Sequence, residues 1–266
     1  MKTARVALLL LVAIYFSVNL YAYTTQRQLM YFPSLERVTP KDVGLTNVEE
    51  VTLQTDSNAK LTCWYGRATI GQPTVLFFHG NGGAVSHRAQ RIRDLMSDGY
   101  GIFVLGYPGY GGNDGAPSEA SFMEGALLSY EYLQNSGVAS SDIVLYGESL
   151  GSGVAVQLAA SVEARSLILE SPMSSAIEVA REHYPLLLAS FLLKDTFQSI
   201  DFIDRIDMPL LVMHGDRDRV IPIRIGQQLF EKARDPKKFI TLTGAGHNNL
   251  QLYPVGEIVR EFLDAL

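Results

Sequence analysis

The 266-residue chain has little cysteine and little charge of either sign. Its one cysteine, Cys63, cannot form an internal disulfide or a cysteine-based metal cluster, and it is compatible with an oxidising or a reducing compartment. The chain has 22 lysine and arginine residues and 28 aspartate and glutamate residues. No run of basic residues is present that could bind the phosphates of a nucleic acid. We therefore expect no nucleic-acid partner.

Metal-binding patterns, repeats and low-complexity segments are also missing from the sequence. None of the five histidines falls in an H-x-x-x-H or H-E-x-x-H pattern, so no zinc site is expected. The hydrophobic share of 47% is that of a packed globular domain, which excludes a disordered or collagen-like chain. No motif implies a cofactor.

One long hydrophobic run is present, at the N-terminus. Lys2 and Arg5 precede 18 residues, Val6 to Tyr23, that are almost entirely apolar. As a helix this run would span about 27 Å, just short of the roughly 30 Å hydrocarbon core of a bilayer. We interpret residues 1–23 as a membrane anchor or a signal peptide.

Three interpretations of this segment compete. A cleavable signal peptide needs a small-residue cleavage site, and Leu20-Tyr21-Ala22 is only a fair one. An uncleaved anchor is favoured by aromatic residues near its outer edge, among them Tyr23, Tyr31 and Phe32. The third interpretation is an N-terminal helix packed on a soluble domain.

The charges at the N-terminus predict an orientation. Positive residues stay on the inner side, so Lys2 and Arg5 would leave the rest of an anchored chain on the outer, non-cytoplasmic side. Cleavage would instead release a secreted protein. A proline-marked linker is predicted over residues 24–46, before one folded domain over residues 47–266.

Short apolar runs alternate with amphipathic stretches through residues 47–266. Helices of ten or more residues between strands predict an α/β fold, with a mostly parallel sheet and helices on both faces. The first two strands are expected to be antiparallel. Residues 172–206 break the alternation after the sixth strand and predict a short, helical, lid-like insertion. The eight predicted strands cover residues 48–55, 61–68, 74–78, 101–105, 142–146, 166–170, 210–214 and 238–242.

The sequence Gly147-Glu148-Ser149-Leu150-Gly151 directly follows a predicted strand and directly precedes a predicted helix. A G-x-S-x-G string is weak by itself, but this strand–turn–helix setting is what a nucleophile elbow requires. A Cβ atom at Gly147 or Gly151 would clash with the neighbouring strand and helix. The pattern predicts Ser149 as a nucleophile, and the alternative is an ordinary glycine-rich turn with a capping serine.

A serine nucleophile needs a base, and the base needs an orienting acid. Two later strand ends supply them: Asp216 and Asp218 follow one predicted strand, and His247 follows the next. Ser, then Asp, then His is one of the known chain orders of a catalytic triad. Among the other histidines, His79 and His214 are expected to be buried and hydrogen-bonded, His87 to be exposed, and His183 to lie in the insertion.

These motifs together resemble the α/β-hydrolase-fold serine hydrolases, particularly the small N-terminally anchored hydrolases related to protein depalmitoylases. The resemblance begins at residues 28–33 and covers nearly the whole remaining chain. It implies Ser149 as nucleophile, His247 as general base and Asp218, the second aspartate of an H-G-x-x-D string, as the acid. Asp216 is the competitor, and its alternative role is to shape the loop.

The resemblance also implies an oxyanion hole built from two backbone N–H groups, those of Asn81 and Leu150. Asn81 belongs to an H-G-N-G-G loop, which lacks the lysine of a P-loop and the spacing of a dinucleotide site. The chain departs from the family at Gly106, where relatives carry aspartate, and at Pro108, where they carry arginine. These departures are expected to alter the polarity of the pocket beside the oxyanion loop.

The expected activity is hydrolysis of carboxylic esters or thioesters through an acyl-enzyme, without a cofactor. The substrate would be an acyl compound such as a lipid or an acylated protein, and the membrane would be a partner through the N-terminal segment. A serine peptidase of the same fold and a non-catalytic binding module are the alternatives. Two apolar runs in the insertion, residues 186–188 and 191–193, are interpreted as core rather than as the lining of an acyl pocket.

Overall fold

The computed structural model describes residues 2–266. Its strands alternate with helices from β4 onward, as the apolar periodicity predicts. The helices are α1 Lys2–Met30, α2 Ala89–Ser97, α3 Glu119–Asn135, α4 Leu150–Ala159, α5 Ala176–His183, α6 Ala189–Leu192, α7 Ile223–Lys232 and α8 Val255–Asp264. The strands are β1 Phe32–Pro33, β2 Glu49–Gln54, β3 Lys60–Gly66, β4 Thr74–Phe78, β5 Gly82–Gly83, β6 Gly101–Val104, β7 Ile143–Glu148, β8 Ser166–Glu170, β9 Leu210–Gly215 and β10 Lys237–Leu242.

Eight strands form the main sheet, in the order β10-β9-β8-β7-β4-β6-β3-β2. β2 and β3 pair antiparallel, β3 also pairs antiparallel with β6, and the other neighbours are parallel. The central strands are buried along their whole length, because helices cover both faces and apolar side chains are needed on each. The mostly parallel eight-stranded sheet of an α/β hydrolase is thereby confirmed.

Two apolar clusters, one on each face of the sheet, form the core. One cluster contains buried residues of α3, α4 and α7, such as Phe122, Val154 and Leu229. The other contains residues of α2 and α8, such as Ile92 and Val259. The layers hold the parallel strands rigid, so that the loops after their carboxyl ends meet at one edge, where ligands bind in sheets of this type.

The N-terminal helix is longer than the sequence predicts. α1 continues through Met30, so the first residues of the predicted linker, 24–30, are helical, and a 3₁₀ turn forms at Pro40–Val43. β1 then pairs with β5 in a small second sheet. The helix extends because Gln26 and Arg27 bond to distant residues of the insertion, which local sequence does not reveal.

α1 is also the one helix among residues 2–266 that is long and apolar enough to cross a membrane, judged by length and composition. Its apolar side chains are mostly uncovered: Val6, Leu9 and Leu11 are more than half exposed. The third interpretation of this segment, a helix packed on the domain, describes only its C-terminal part.

Candidate active site

Ser149 lies on a sharp turn between β7 and α4. Its backbone has φ 54° and ψ −118°, a positive φ that a residue other than glycine rarely adopts. At the glycines on either side of Ser149, Gly147 and Gly151, there is no space for a side chain. A Cβ atom on Gly151 would lie 2.0 Å from the carbonyl oxygen of Phe78, and one on Gly147 would lie 2.5 Å from Cα of Ser152. The close approach expected at both glycines is therefore present.

We expect Gly151→Ala to destabilise the fold by about 1–3 kcal/mol or more, the usual cost of forcing extra volume into a packed site. The atom it would meet is backbone, which cannot rotate away. Gly256→Ala is the matched control, since it also adds a methyl group to a helix but meets nothing within 4 Å. Urea unfolding checks the pair. Equal stabilities would show that the turn adapts to a side chain.

The structure brings Ser149, His247 and Asp218 into one hydrogen-bonded line. Ser149 Oγ lies 2.8 Å from Nε2 of His247, and Nδ1 of His247 lies 2.7 Å from Oδ2 of Asp218. With its proton on Nδ1, the imidazole donates to the carboxylate and accepts from the hydroxyl. This arrangement allows the imidazole to remove the serine proton while the carboxylate stabilises the resulting charge.

Asp218 lies in a setting that keeps its carboxylate ionised. Burial by itself would raise the pKa of Asp218, but contacts with His214 and His247 and the backbone N–H of Ile221 hold it well below its usual value. Oδ1 accepts from the N–H groups of Val220 and Ile221, both at 2.8 Å, which fixes the carboxylate plane.

Asp216, the competing acid, lies elsewhere. Its Oδ1 accepts a 2.7 Å hydrogen bond from the N–H of Gly244, and the residue is exposed. This contact ties the loop after β9 to the loop after β10. Asp216 therefore shapes the loop, and Asp218 is the aspartate that meets His247.

His214 is buried and hydrogen-bonded as expected, but its position beside the acid was not anticipated. Its Nε2 lies 2.8 Å from the carbonyl oxygen of Ile221 and 3.4 Å from Oδ2 of Asp218. The shorter distance indicates that the ring donates to Ile221. The spacing of four residues between His214 and Asp218 across a turn is the signal in the sequence that could have revealed this contact.

The two predicted oxyanion donors lie beside Ser149. Asn81 and Leu150 line the same cavity as Ser149, and neither backbone N–H has a hydrogen-bond acceptor within residues 2–266. Two groups hold the Asn81 carbonyl: the N–H of Phe32 at 3.0 Å and the hydroxyl of Tyr110 at 2.8 Å. The amide side chain of Asn81 donates to the carbonyl oxygen of Met30, at the end of α1.

His79 supports this loop from inside the core. Burial, with a smaller contribution from the charge of Arg88, lowers the pKa of His79 to about 3, so the ring is neutral at physiological pH. Its Nδ1 lies 2.8 Å from the Gly80 carbonyl oxygen, and the ring packs on Tyr107 with centroids 4.2 Å apart. His79 is therefore a packing residue, as the sequence analysis favours.

Ser149 lies between two cavities of different character. An apolar cavity of about 240 Å³ extends between the insertion and the last turns of α1. A larger cleft of about 940 Å³, lined by charged and polar side chains, extends on the other side. The residues that α1 contributes to the apolar cavity are Ala22, Gln26, Leu29 and Met30. The insertion contributes Tyr184, Leu187, Leu192 and Leu193 among others.

The apolar runs of the insertion are not core, contrary to the favoured interpretation. Leu187, Leu192 and Leu193 line the apolar cavity, whereas Leu186 and Phe191 are 80% and 86% exposed. Within each run, some side chains therefore face the cavity and others face outward. His183 also lines the cavity, and its Nε2 contacts the carbonyl oxygen of Val220 at 2.8 Å.

Two acidic side chains of the polar cleft, Glu148 and Glu170, are paired with arginines. Glu148 pairs with Arg88 at 3.1 Å, and Glu170 pairs with Arg91 at 2.9 Å. Tyr146 also donates a 2.6 Å hydrogen bond to Glu170. In the described part of the chain, no three His, Cys, Asp or Glu side chains cluster closely enough to hold a metal ion.

Known proteins resemble this chain in sequence and in fold. Residues 71–202 match a family model described as serine aminopeptidase, S33. An uncharacterized protein of Mycobacterium tuberculosis is 36% identical over 238 residues, covering 88% of this chain and 85% of that protein. Human alpha/beta hydrolase domain-containing protein 17B is 31% identical over 209 residues, covering 77% of this chain and 71% of that protein. The chain belongs to the α/β-hydrolase family.

Solved structures agree with this assignment at the level of the fold. An esterase of Pyrococcus furiosus superposes with a TM-score of 0.72 at 21% identity, covering 89% of this α/β hydrolase and 98% of the esterase. The predicted membership of the α/β hydrolases is confirmed, and with it the prediction that the chain is a hydrolase.

This α/β hydrolase differs from the family pattern at Gly106 for a steric reason. A Cβ atom there would lie 2.0 Å from the carbonyl oxygen of Thr62, so no side chain fits. Asn113 occupies the adjacent space: its Oδ1 accepts from the N–H of Thr62, and its Nδ2 donates to the carbonyl oxygen of Tyr107. The loop after β6 is thus held by an amide rather than by an aspartate at position 106.

Proposed function

We propose that this protein is a serine hydrolase that cleaves carboxylic esters or thioesters through an acyl-enzyme intermediate. The observation that carries the proposal is the line of hydrogen bonds from Ser149 through His247 to Asp218, located where the apolar cavity meets the polar cleft. An acyl chain fits the apolar cavity, and the alcohol or thiol that leaves fits the polar cleft.

The reaction follows from the positions of these groups. Ser149 Oγ attacks the acyl carbonyl carbon while its proton passes to Nε2 of His247. The tetrahedral oxyanion accepts hydrogen bonds from the N–H groups of Asn81 and Leu150. The intermediate collapses, and His247 gives the proton to the departing alcohol or thiol. Water, deprotonated by His247, then attacks the acyl-enzyme. The bond between the acyl carbon and Oγ breaks, His247 returns the proton to Oγ of Ser149, and the carboxylic acid leaves.

An ester or thioester is a better fit than a peptide terminus. A peptidase that recognises a free amino terminus needs an unpaired carboxylate near the nucleophile. Glu148 and Glu170 are the acidic side chains that line the cleft nearest to Ser149, and both are paired with arginines. The linked Ser149–His247 pair likewise speaks against a module that only binds.

The apolar cavity supports a prediction about acyl-chain length. Ala180 on α5 lines the cavity, so Ala180→Phe should shorten the preferred chain by several carbons, because the ring fills much of the space. Ala120 on α3 is exposed, and Ala120→Phe should leave the preference unchanged. Hydrolysis of p-nitrophenyl esters with 2 to 16 carbons, about the range of common fatty acids, measures both variants. An unchanged optimum in Ala180→Phe would place the acyl group elsewhere.

We also propose that α1 anchors the hydrolase domain, residues 47–266, in a membrane. Lys2 and Arg5 would lie on the inner side and the domain on the outer, non-cytoplasmic side, by the distribution of positive charge. Supporting contacts are those that α1 makes with the site: its last turns line the apolar cavity, and Met30 accepts from Asn81. Cleavage after Ala22 would cut within these turns, which disfavours a secreted form.

A further inference from the structure

Three polar side chains of α1 bond to the insertion. Asn19 Oδ1 accepts a 2.9 Å hydrogen bond from the N–H of Leu188. Gln26 bonds at both ends of its amide, to the carbonyl oxygen of Leu192 and to the N–H of Lys194. Arg27 pairs with Asp195 through two hydrogen bonds of 2.8 and 3.0 Å, and Asp195 is buried. The position of the insertion along the helix is therefore fixed.

These contacts set the depth of the insertion relative to the apolar run of α1. Asn19 lies four residues before Tyr23, the end of that run, which corresponds to about 6 Å along the helix axis. The charged contacts lie on the other side of this boundary: Lys194 Nζ lies 4.4 Å from the centre of the Tyr23 ring, and Arg27 comes one turn later. If the apolar run lies in a bilayer, residues 184–193 lie at the depth of its outer hydrocarbon.

The exposed side chains of this segment suit that depth. In residues 184–193, which we call the insertion tip, Leu186 and Phe191 are 80% and 86% exposed. Neither lines the apolar cavity. Both belong to the segment that is bonded to α1 at Leu188 and Leu192, so a lipid layer around the apolar run of α1 would also reach them. Apolar side chains that enter the first 5–10 Å of a bilayer are typical of proteins that lie in its surface.

We propose that the insertion tip is embedded in the same leaflet as the end of α1, and that the substrate is an acyl compound whose chain resides in that bilayer. The second part rests on the proposed hydrolase function. The apolar cavity has one wall from α1 and one from the insertion, so an acyl chain can leave the lipid and reach Ser149 between them without crossing water. The polar cleft then receives the headgroup side of the substrate.

The depth of the tip can be measured without turnover. Phe191→Trp, introduced into the full chain carrying Ser149→Ala, places a fluorophore on the tip, while the one native tryptophan, Trp64, is buried. In phosphatidylcholine vesicles with brominated acyl chains, we expect strong quenching of the added fluorescence. Ile70→Trp is the control, because Ile70 is fully exposed and precedes β4, at the opposite end of the parallel strands from Ser149. Its fluorescence should stay unquenched. Equal quenching of the two would overturn the proposal.

Measurements of turnover test whether the acyl chain of the substrate comes from the bilayer. Leu186→Ser with Phe191→Ser should lower hydrolysis of a long-chain acyl ester held in vesicles by about tenfold or more, as expected when apolar contact with the bilayer is removed. Hydrolysis of water-soluble p-nitrophenyl butyrate should be unchanged. Ile70→Ser with Leu127→Ser is the matched control, with two exposed apolar residues away from the tip.

The outcomes separate the two proposals. Equal rates on vesicles for both double variants would overturn uptake from the bilayer and leave the hydrolase function intact. Absence of butyrate hydrolysis by the wild-type chain would count against the hydrolase function, and the quenching result would still stand by itself. A vesicle-anchored S-acylated peptide, compared with a glycerol ester, distinguishes an acylated protein from a lipid as the source of the chain.

Discussion

Replacement of Ser149 by alanine should lower kcat for a water-soluble ester by about 10⁴-fold or more, because the nucleophile, base and acid act as a unit. The hydroxyl is the atom that would form the covalent bond, and His247 has no other proton donor at this position in the hydrogen-bonded line. The substitution removes one oxygen atom and keeps the backbone turn, so the fold should be retained. Initial rates with p-nitrophenyl butyrate measure the loss of activity, and a thermal unfolding curve shows whether the fold is retained.

Ser171 offers a matched control for this experiment. It is a buried serine directly after β8, with φ 48°, close to the φ of 54° at Ser149. Its hydroxyl has no hydrogen-bond partner in the part of the chain that the structure covers. Ser171→Ala should keep most of the wild-type rate. If Ser149→Ala kept it too, Ser149 could not be the nucleophile.

The second large effect is expected at Asp218. Asp218→Asn should lower kcat by about 10³- to 10⁴-fold, through the wrong histidine tautomer. The Asn Oδ1 would keep the two bonds from Val220 and Ile221, which leaves the NH₂ group facing Nδ1 of His247. His247 would then accept at Nδ1 and carry its proton on Nε2, where it can no longer take the proton of Ser149.

Asp216→Asn is the comparison that tests this assignment of the acid. Its bond to the N–H of Gly244 needs only an oxygen acceptor, which asparagine retains, so the rate should change little. The two variants differ from the wild type by the same chemical change, two residues apart. A severe loss in Asp216→Asn with a mild one in Asp218→Asn would assign the acid to the other aspartate.

Much of this architecture could be predicted because it depends on local sequence. Continuous apolar runs such as Thr74–Phe78 mark strands covered on both faces, and their alternation with helices indicates a parallel sheet. The elbow could be found because Gly147 and Gly151 flank a serine at a strand-to-helix boundary. The chain order of Ser149, Asp218 and His247 then predicted three side chains that the structure brings together.

What could not be predicted depends on contacts between distant parts of the chain. The end of α1 is set by bonds from Gln26 and Arg27 to residues more than 160 positions away. The pairing of β1 with β5 is also non-local, and two-residue strands carry no periodicity. The apolar run at 186–188 is ambiguous by composition, because core, cavity and lipid all favour leucine. Only the three-dimensional neighbours of each leucine show whether it lies in the core, lines the cavity or faces outward.

The central claim is that Ser149 carries the acyl group during turnover, and mass spectrometry of the trapped intermediate tests it most directly. The full-length enzyme is mixed with a slowly hydrolysed acyl ester, quenched in acid within the first turnovers, and digested. The account predicts the mass of one acyl group on the peptide that contains Ser149 in the wild type, and its loss in Ser149→Ala. An acyl group on a different residue, or turnover that continues in Ser149→Ala, would contradict it.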